Sequence, residues 1–483
     1  MKKTSIVIIL LTFYNLCFSQ KEEILQKDYL LKVNHYSLDL SFDFQESYLS
    51  GVCDVTIENK SDKPINEIPF LLYRLMKVIS VQNQQGKEIN FVQSIVSFSD
   101  FEKLQTNSIT INEFINPKST TTFKIKYEGY LFGYQETGMQ YITDKISPDF
   151  TLIRNDAYSY PILAKPSIAF LRKNIASNNF TYDVSVVVPD SLIVANGGTL
   201  VSKITESRNT TYKYKSKKPN WRIDIAIAPY KFETTDRLDV FYFPSDSENA
   251  RTLLSRGYET LKLYTQWWGT LKNNNSITLI ETEKNSGGQA DETTILLPQE
   301  SFSSGAYFQL YHELSHLWNI TISEKEGLSP RWEEGLASFC QYYADEHFNP
   351  EKKGLLDKIV NRAIKRLKIN FDATPEMYNI PMCEFGNESV TGYSYDQGMI
   401  MFTVLHKWLG KEKFNLAIRF FYEKYYATGA TTKNFTELWI KETKTKGLKD
   451  FFNDWVYTTN YTSFVKNENT IDEIVKYYNK EEK

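Results

Sequence analysis

Hydrophobic and polar positions alternate along the first half of the chain, from about residue 28 to residue 235. Tyr36, Leu38 and Leu40 are separated by polar residues, and Phe123 and Ile125 follow the same rule. A period of two is the pattern of a half-buried β-strand. Residues 180–198 and 221–230 contain further strand-like runs, and helical periodicity is weak throughout. The pattern predicts an N-terminal all-β domain over residues 20–235.

The hydrophobic period changes near residue 235. Leu254, Leu261 and Trp268 recur at helical intervals within residues 250–271, and further helical patterns cover 304–320, 330–346, 352–369, 396–410 and 411–427. Such spacing predicts helices with one apolar face. We therefore predict a multidomain protein, in which the β domain is followed by a mainly α domain over residues 236–465 and a C-terminal tail over 466–483.

The first residues carry a targeting pattern. Lys2 and Lys3 precede an apolar run from Ile6 to Leu16, and small residues follow. The run is too short to cross a bilayer as a helix, and the pattern is that of a secretory signal peptide over residues 1–19, cleaved near Ser19. We expect a secreted or periplasmic protein. The alternative is a leader that is retained as an anchor.

Composition narrows the class of partner. The 483 residues are 41% hydrophobic and 24% charged, with a net charge of −3. This is ordinary globular material, and its mild acidity gives no electrostatic reason to expect nucleic acid. No later segment is apolar enough for stable membrane insertion. The sequence does not specify the oligomeric state.

One short stretch carries the spacing of a metal site. His312, Glu313 and His316 form an H-E-x-x-H motif within a helical pattern. Residues four apart lie on one helix face, so both histidines can bind one zinc ion while Glu313 stands beside it as a general base for a zinc-activated water. A helix that merely packs on its histidines is the structural alternative.

A catalytic zinc ion needs a third protein ligand. Downstream, Ser329 and Pro330 have the signature of a helix start, with serine as N-cap and proline at the first helical position. The first turns of that helix would lie beside the two histidines. Glu333 and Glu334 are the carboxylates available there, and only one of them can point inward.

These motifs resemble those of the zinc aminopeptidases related to aminopeptidase N and leukotriene hydrolase, which are gluzincin metallopeptidases. The chain reads H-E-L-S-H-L-W over 312–318, and E-E-G-L-A over 333–337 stands where the family has N-E-G-x-A. Alignment on Gly335 and Ala337 implies that Glu334 is the third zinc ligand. The resemblance also implies a thermolysin-like fold for the second domain, without the large helical C-terminal domain of many members.

The same resemblance implies two further groups of site residues. The segment Y-D-Q-G, which begins at Tyr395, stands where the family has a tyrosine that stabilises the oxyanion, and Tyr393 is the nearby alternative. The segment G-Q-A-D-E, which begins at Gly288, stands where the family has G-x-M-E-N, a strand that pairs with the peptide and binds its α-ammonium group. Asp291 and Glu292 would then bind the substrate.

The sequence therefore predicts a zinc metallopeptidase with one Zn²⁺ per chain and a peptide as its substrate. The resemblance favours an aminopeptidase that hydrolyses N-terminal residues. Because the G-Q-A-D-E segment departs from the family pattern, an endopeptidase or another specialised hydrolase on the same zinc core is the alternative. A noncatalytic relative that binds peptides is the alternative from a different functional class.

Overall fold

The structure is a computed structural model that describes residues 30–133, 141–303, 307–322 and 328–479. The leader predicted over residues 1–19 lies outside the described residues. The chain divides into two compact units. The first runs up to Val194 and includes Gly198–Ile227, and the second comprises Ala195–Gly197 and everything from Ala228 onward.

The first unit is built mainly from strands. Its largest sheet has seven strands in the order β12-β13-β10-β1-β2-β7-β4, and all neighbours are antiparallel except β1 and β10. These strands are β1 (Leu31–Asp43), β2 (Tyr48–Asn59), β4 (Met76–Gln82), β7 (Thr120–Tyr130), β10 (Thr181–Pro189), β12 (Thr199–Glu206) and β13 (Asn209–Lys215).

Two smaller sheets complete this unit, in the orders β5-β6-β3-β9 and β11-β14-β8. Their strands are β3 (Ile65–Leu72), β5 (Phe91–Phe98), β6 (Phe101–Ile115), β8 (Thr151–Arg154), β9 (Ile162–Leu163), β11 (Ile193–Ala195) and β14 (Asp224–Ala228), and one helix, α1 (Ile168–Ser177), accompanies them. Inward residues such as Leu38, Ile125 and Val186 are fully or almost fully buried, as the period-two pattern requires.

The second unit begins with a five-stranded sheet in the order β15-β16-β17-β19-β18. Its strands are β15 (Lys231–Thr234), β16 (Leu238–Tyr242), β17 (Ile277–Thr282), β18 (Gln289–Ala290) and β19 (Thr294–Pro298). The central strands β16, β17 and β19 run parallel, whereas β18 is a short antiparallel edge strand. An edge strand leaves backbone groups available for another chain.

Helices form the rest of the second unit. They are α2 (Ser247–Trp268), α3 (Phe308–Ser315), α4 (Trp332–Phe348), α5 (Leu355–Ala373), α6 (Ser394–Leu409), α7 (Lys411–Tyr425), α8 (Thr432–Thr443), α9 (Leu448–Phe452), α10 (Thr462–Lys466) and α11 (Ile471–Asn479). Their apolar faces share one core with the sheet, and Ile471 and Tyr478 of the predicted C-terminal tail are part of it. The predicted order, strands first and helices second, is confirmed.

Helices α4 and α6 approach each other through glycines. A Cβ atom placed on Gly335 would lie 2.3 Å from Cα of Gly398 and 2.8 Å from the carbonyl oxygen of Ser394. Both distances are too short for real atoms, so the two backbones can cross this closely only because neither position carries a side chain. This contact fixes the first turn of α4 against the first turns of α6.

Within the described residues, no helix combines the length and the apolar character that a membrane crossing requires.

Candidate active site

Helix α3 and the turn after it carry the two histidines. Leu310 and Leu314 face the core and are fully buried, so His312 lies on a helix whose orientation is fixed by packing. The α-helix ends at Ser315, and the chain continues as a 3-10 turn over His316–Trp318. The predicted helix over 304–320 is therefore shorter and changes its type at His316.

Trp318 anchors the end of this turn. Its indole Nε1 donates to the carbonyl oxygen of Gly269 at 2.9 Å, and its ring packs against Tyr264 and Trp268. The tryptophan of the H-E-x-x-H-x-W motif is thus a core residue that holds the second histidine in place. Nδ1 of His316 lies 2.7 Å from the side-chain amide of Asn319, which is the kind of outer contact that orients a metal-binding ring.

Glu334 lies in the first turn of α4 and faces both histidines. Its Oε2 is 3.4 Å from Nε2 of His312 and 3.5 Å from Nε2 of His316. Its Oε1 contacts the guanidinium group of Arg331. Burial opposes ionisation of this carboxyl, but Arg331 and His316 together hold the pKa of Glu334 well below its ordinary value.

The predicted start of this helix is wrong by two residues. Helix α4 begins at Trp332, and its N-cap is Arg331, whose φ of 57° is left-handed. Ser329 does not cap the helix, because its hydroxyl accepts the backbone N–H of Arg331 at 3.0 Å. Pro330 precedes the helix, and its carbonyl accepts a hydrogen bond from the hydroxyl of Ser394 on α6. Local turn hydrogen bonds have replaced the expected cap.

The three side chains fit one zinc ion. Their ligand atoms all lie within 4.8 Å of one another. Two ligands bound at about 2.0–2.1 Å around a tetrahedral ion are roughly 3.3 Å apart, close to the two distances from Oε2 of Glu334. Two imidazoles and one carboxylate are also the donor set of catalytic zinc sites that keep a fourth position open.

The structure brings Glu334, and not Glu333, to the histidines. Glu333 lies on another side of α4, and its Oε2 is buried without a hydrogen-bond partner among the described residues. Burial raises the pKa of Glu333 to about 7; Arg331 opposes this rise and the neighbouring Glu334 adds to it. Glu333 therefore stays outside the cluster that could hold the metal.

Glu313 is buried beside this cluster, with 3% of its surface exposed. Its Oε1 accepts a hydrogen bond of 2.5 Å from the side-chain amide of Gln309, one helical turn earlier. Burial raises the pKa of Glu313, and the two histidines counteract part of this rise. A carboxyl with a raised pKa next to a metal site has the properties of a general base.

The structure distinguishes the two tyrosine candidates. The ring of Tyr395 stacks on His312, with centroids 6.2 Å apart and planes 8° from parallel. Burial and the carboxylate of Glu334 raise the pKa of Tyr395, so its hydroxyl keeps its proton at neutral pH. Tyr393 instead packs edge-on against Phe371 and Phe385. Of the two tyrosines, only Tyr395 lies against the cluster of His312, His316 and Glu334.

Of the three predicted substrate-binding residues, Gly288 lies against Glu313. A Cβ atom on Gly288 would be 2.3 Å from Oε1 of Glu313. Oδ1 of Asp291 accepts the N–H groups of Thr293 and Thr294 at 2.6 and 2.8 Å within its own turn. Oε2 of Glu292 accepts a hydrogen bond of 2.7 Å from the hydroxyl of Tyr426.

Three residues at this site were not predicted from the sequence. They are Gln309, Asn319 and Arg331, which contact Glu313, His316 and Glu334 respectively. The first two could have been found from spacing, since Gln309 precedes Glu313 by four residues and Asn319 follows His316 by three. The sequence holds no comparable signal for Arg331, because its position depends on an unexpected left-handed backbone.

Comparison with known proteins matches part of the second unit to a family model. Residues 292–455 match the family model described as Peptidase family M1 domain. Aminopeptidase M1-B of Oryza sativa subsp. japonica is 28% identical over 179 residues, which are 35% of this chain and 20% of that protein. Glutamyl aminopeptidase of Bos taurus is 25% identical over 179 residues, 35% of this chain and 18% of its own length. The chain thus spans about a fifth of these curated relatives.

Solved structures extend the likeness to both units. An M1 zinc metallopeptidase from Deinococcus radiodurans, crystallised as a mutant with a Tyr-Ser-Ala substrate, has a TM-score of 0.62 at 16% identity. The match covers 89% of this chain and 94% of that one. A two-domain M1 zinc metallopeptidase bound to L-tryptophan gives the same TM-score and coverage. At this identity the likeness shows the fold. Residues 292–455, which contain the His312, His316 and Glu334 cluster, therefore match a peptidase family M1 domain and show homology to aminopeptidases.

Proposed function

We propose that the protein is a zinc-dependent aminopeptidase that removes N-terminal residues from peptides. The observation that carries the proposal is the convergence of His312, His316 and Glu334 on one point, with the buried Glu313 beside them. Homology to aminopeptidases supports the reaction class. This combination fits hydrolysis by an activated water better than it fits a structural metal site, which has no use for a buried base.

The chain's own residues supply most of the chemistry. When bound by the two histidines and Glu334, zinc supplies a Lewis acid that lowers the pKa of water and polarises a carbonyl group. Glu313 accepts the proton of the attacking water as the bond to the carbonyl carbon forms. It then donates that proton to the amine nitrogen as the peptide bond breaks. The raised pKa of Glu313 suits both transfers.

Tyr395 is placed to stabilise the negative charge that develops on the carbonyl oxygen. Its ring stacks on His312, and 37% of the surface of the residue remains exposed. The pKa of Tyr395 is raised, and the group therefore donates a hydrogen bond instead of ionising. Donors of this kind act because they are oriented before charge develops.

The edge strand β18 is placed to bind the substrate backbone. Gln289 and Ala290 pair on one side with Leu296 and Ile295 of β19, and no further strand of the described residues lies beyond them. A peptide can add to such an edge through main-chain hydrogen bonds. Gly288 precedes this strand and contacts Glu313, so a peptide bound there would pass close to the general base.

An endopeptidase is the second candidate, and the geometry of Asp291 favours it. An aminopeptidase needs a group that recognises the free α-ammonium of its substrate, but Oδ1 of Asp291 already accepts three hydrogen bonds from Thr293 and Thr294. Glu292 is bound to Tyr426. If neither carboxylate contacts the ammonium, the enzyme does not require a free N-terminus.

The experiment that tests the proposal compares aminoacyl p-nitroanilides with their N-acetylated forms. An aminopeptidase cleaves the free-amine panel and rejects the acetylated one. Cleavage of blocked substrates or of internal bonds in a quenched peptide would establish the endopeptidase instead. Failure to cleave any member of either panel, in protein that carries one zinc per chain, would refute both candidates and support a noncatalytic relative.

We also propose that the protein is exported, because its first 19 residues have the composition of a signal peptide. The measurement is the N-terminal residue of the mature protein isolated from its source. A new N-terminus near Gln20 supports export with cleavage, and an intact Met1 in cytoplasmic protein contradicts it.

A further inference from the structure

The general base has a partner that no motif of the sequence identified. The side-chain amide of Gln309 donates a hydrogen bond to Oε1 of Glu313. Among the described residues, this is the one hydrogen bond to the Glu313 carboxylate, and Glu313 is 3% exposed. A buried carboxylate with a single fixed partner has one oxygen held and the other free.

Gly288 lies against both Gln309 and Glu313. A Cβ atom at this position would lie 2.2 Å from Nε2 of Gln309 and 2.3 Å from Oε1 of Glu313. The backbone just before strand β18 therefore lies directly against the hydrogen bond between Gln309 and Glu313. The space is closed on this side by main chain, which cannot yield as a flexible side chain would. The Gln309 amide and the Glu313 carboxylate are consequently held in one relative orientation.

We propose that Gln309 is a positioning residue for the reaction: it holds Oε1 of Glu313 so that Oε2 is the atom that takes the proton from the attacking water. The inference rests on the proposed peptidase function and concerns the orientation of the base. Gln309 does not touch the substrate in this account. It acts through Glu313, because a base that rotates freely spends little time aligned with the water.

The test removes the donor without changing the size of the side chain. Gln309→Met keeps the length of the side chain but cannot donate. We expect kcat to fall about 10- to 100-fold, the range for loss of one hydrogen bond to a charged group, while KM stays within about twofold and zinc remains at one per chain. A side chain needed only for folding would change stability and zinc content together with both kinetic constants.

A second variant covers the case in which Gln309→Met does not fold. Gln309→Glu preserves the shape of the side chain but places a second carboxylate against Glu313, and its kcat should fall at least as far. The matched control is Gln299→Met, because Gln299 also donates to a carboxylate, that of Asp246 at 2.9 Å, but outside the site. Its kcat should match that of the wild-type protein.

The outcomes separate this inference from the proposed function. If the kcat of both Gln309 variants lies within twofold of the wild-type value, the positioning role is refuted and the peptidase assignment is unaffected. A loss of kcat that follows zinc loss in proportion would also overturn it. A wild-type protein without peptidase activity would instead refute the proposed function itself.

Discussion

The close contact between the glycines of helices α4 and α6 should make the site sensitive to the addition of a single methyl group. Gly335 directly follows Glu334, the proposed zinc ligand, and Gly398 lies three residues after Tyr395. The crossing therefore sets the distance between a metal ligand and the residue proposed to stabilise the oxyanion. Adding one methyl group at either glycine should separate the two helices and displace both functional side chains.

The magnitude follows from the distances. The new Cβ of Gly335→Ala would lie 2.3 Å from Cα of Gly398, whereas carbon atoms pack best at about 3.5–4.0 Å. Backbone must therefore move by more than about 1 Å. Overpacking of this kind costs roughly 1–3 kcal/mol, which the better helix propensity of alanine offsets by about 1 kcal/mol. A displacement of 1 Å at an active site lowers activity on the order of 100-fold.

The assay combines urea denaturation, zinc content and kcat/KM on an aminoacyl p-nitroanilide. Gly335→Ala should lose more stability and activity than Gly398→Ala, whose Cβ would meet Cα of Gly335 at the longer distance of 2.7 Å. Gly392→Ala is the control, because no contact within 4 Å of its Cβ position is found among the residues that the structure describes. If Gly335→Ala matches the wild-type protein in stability and activity, the close crossing does not position the site.

Three further substitutions test separate parts of the account. Burial raises the pKa of Glu281 to about 8 from an ordinary 4.5, so ionisation is costly in the folded state. The free energy of unfolding should therefore fall by up to roughly 1.4 kcal/mol per pH unit between pH 4.5 and 8. Glu281→Gln should remove this pH dependence, which denaturation curves at pH 5 and 8.5 would measure. An unchanged pH dependence in the variant would contradict this. Tyr395→Phe should lower kcat by about 100- to 1,000-fold at full zinc occupancy, whereas Tyr393→Phe should leave it unchanged, and equal losses in the two variants would refute the assignment. Asp291→Asn keeps an oxygen acceptor for its turn, so KM for free-amine substrates should stay within about twofold; a tenfold rise without loss of stability would show that Asp291 binds the ammonium after all.

Periodicity and motif spacing predicted the parts of the molecule that depend on burial. Alternation at Tyr36, Leu38 and Leu40 predicted strand β1, because one face of that strand must be buried. The spacing of His312 and His316 predicted two ligands on one side of a short helical segment. The resemblance added Glu334, which lies where both imidazoles can share a metal ion with it.

The predicted start of helix α4 was wrong because it depends on local hydrogen bonds that spacing does not reveal. Ser329 was expected to cap a helix, but the left-handed backbone at Arg331 moved the helix start beyond it. Asp291 stays a predicted substrate-binding residue, and spacing did not reveal that its Oδ1 accepts hydrogen bonds from Thr293. Short polar side chains compete for nearby backbone groups in this way, and only the folded structure determines which of these hydrogen bonds forms.

The central claim is that Glu313 performs the chemistry at a zinc ion that it does not hold. The most direct measurement is therefore zinc content and turnover of Glu313→Gln beside the wild-type protein, with Glu334→Ala as the variant that should lose the metal. We predict that Glu313→Gln retains about one zinc per chain and that its kcat falls by about 100- to 10,000-fold, which is the contribution of a general base. A Glu313→Gln protein that keeps its turnover, or that loses its zinc together with its activity, would contradict the account.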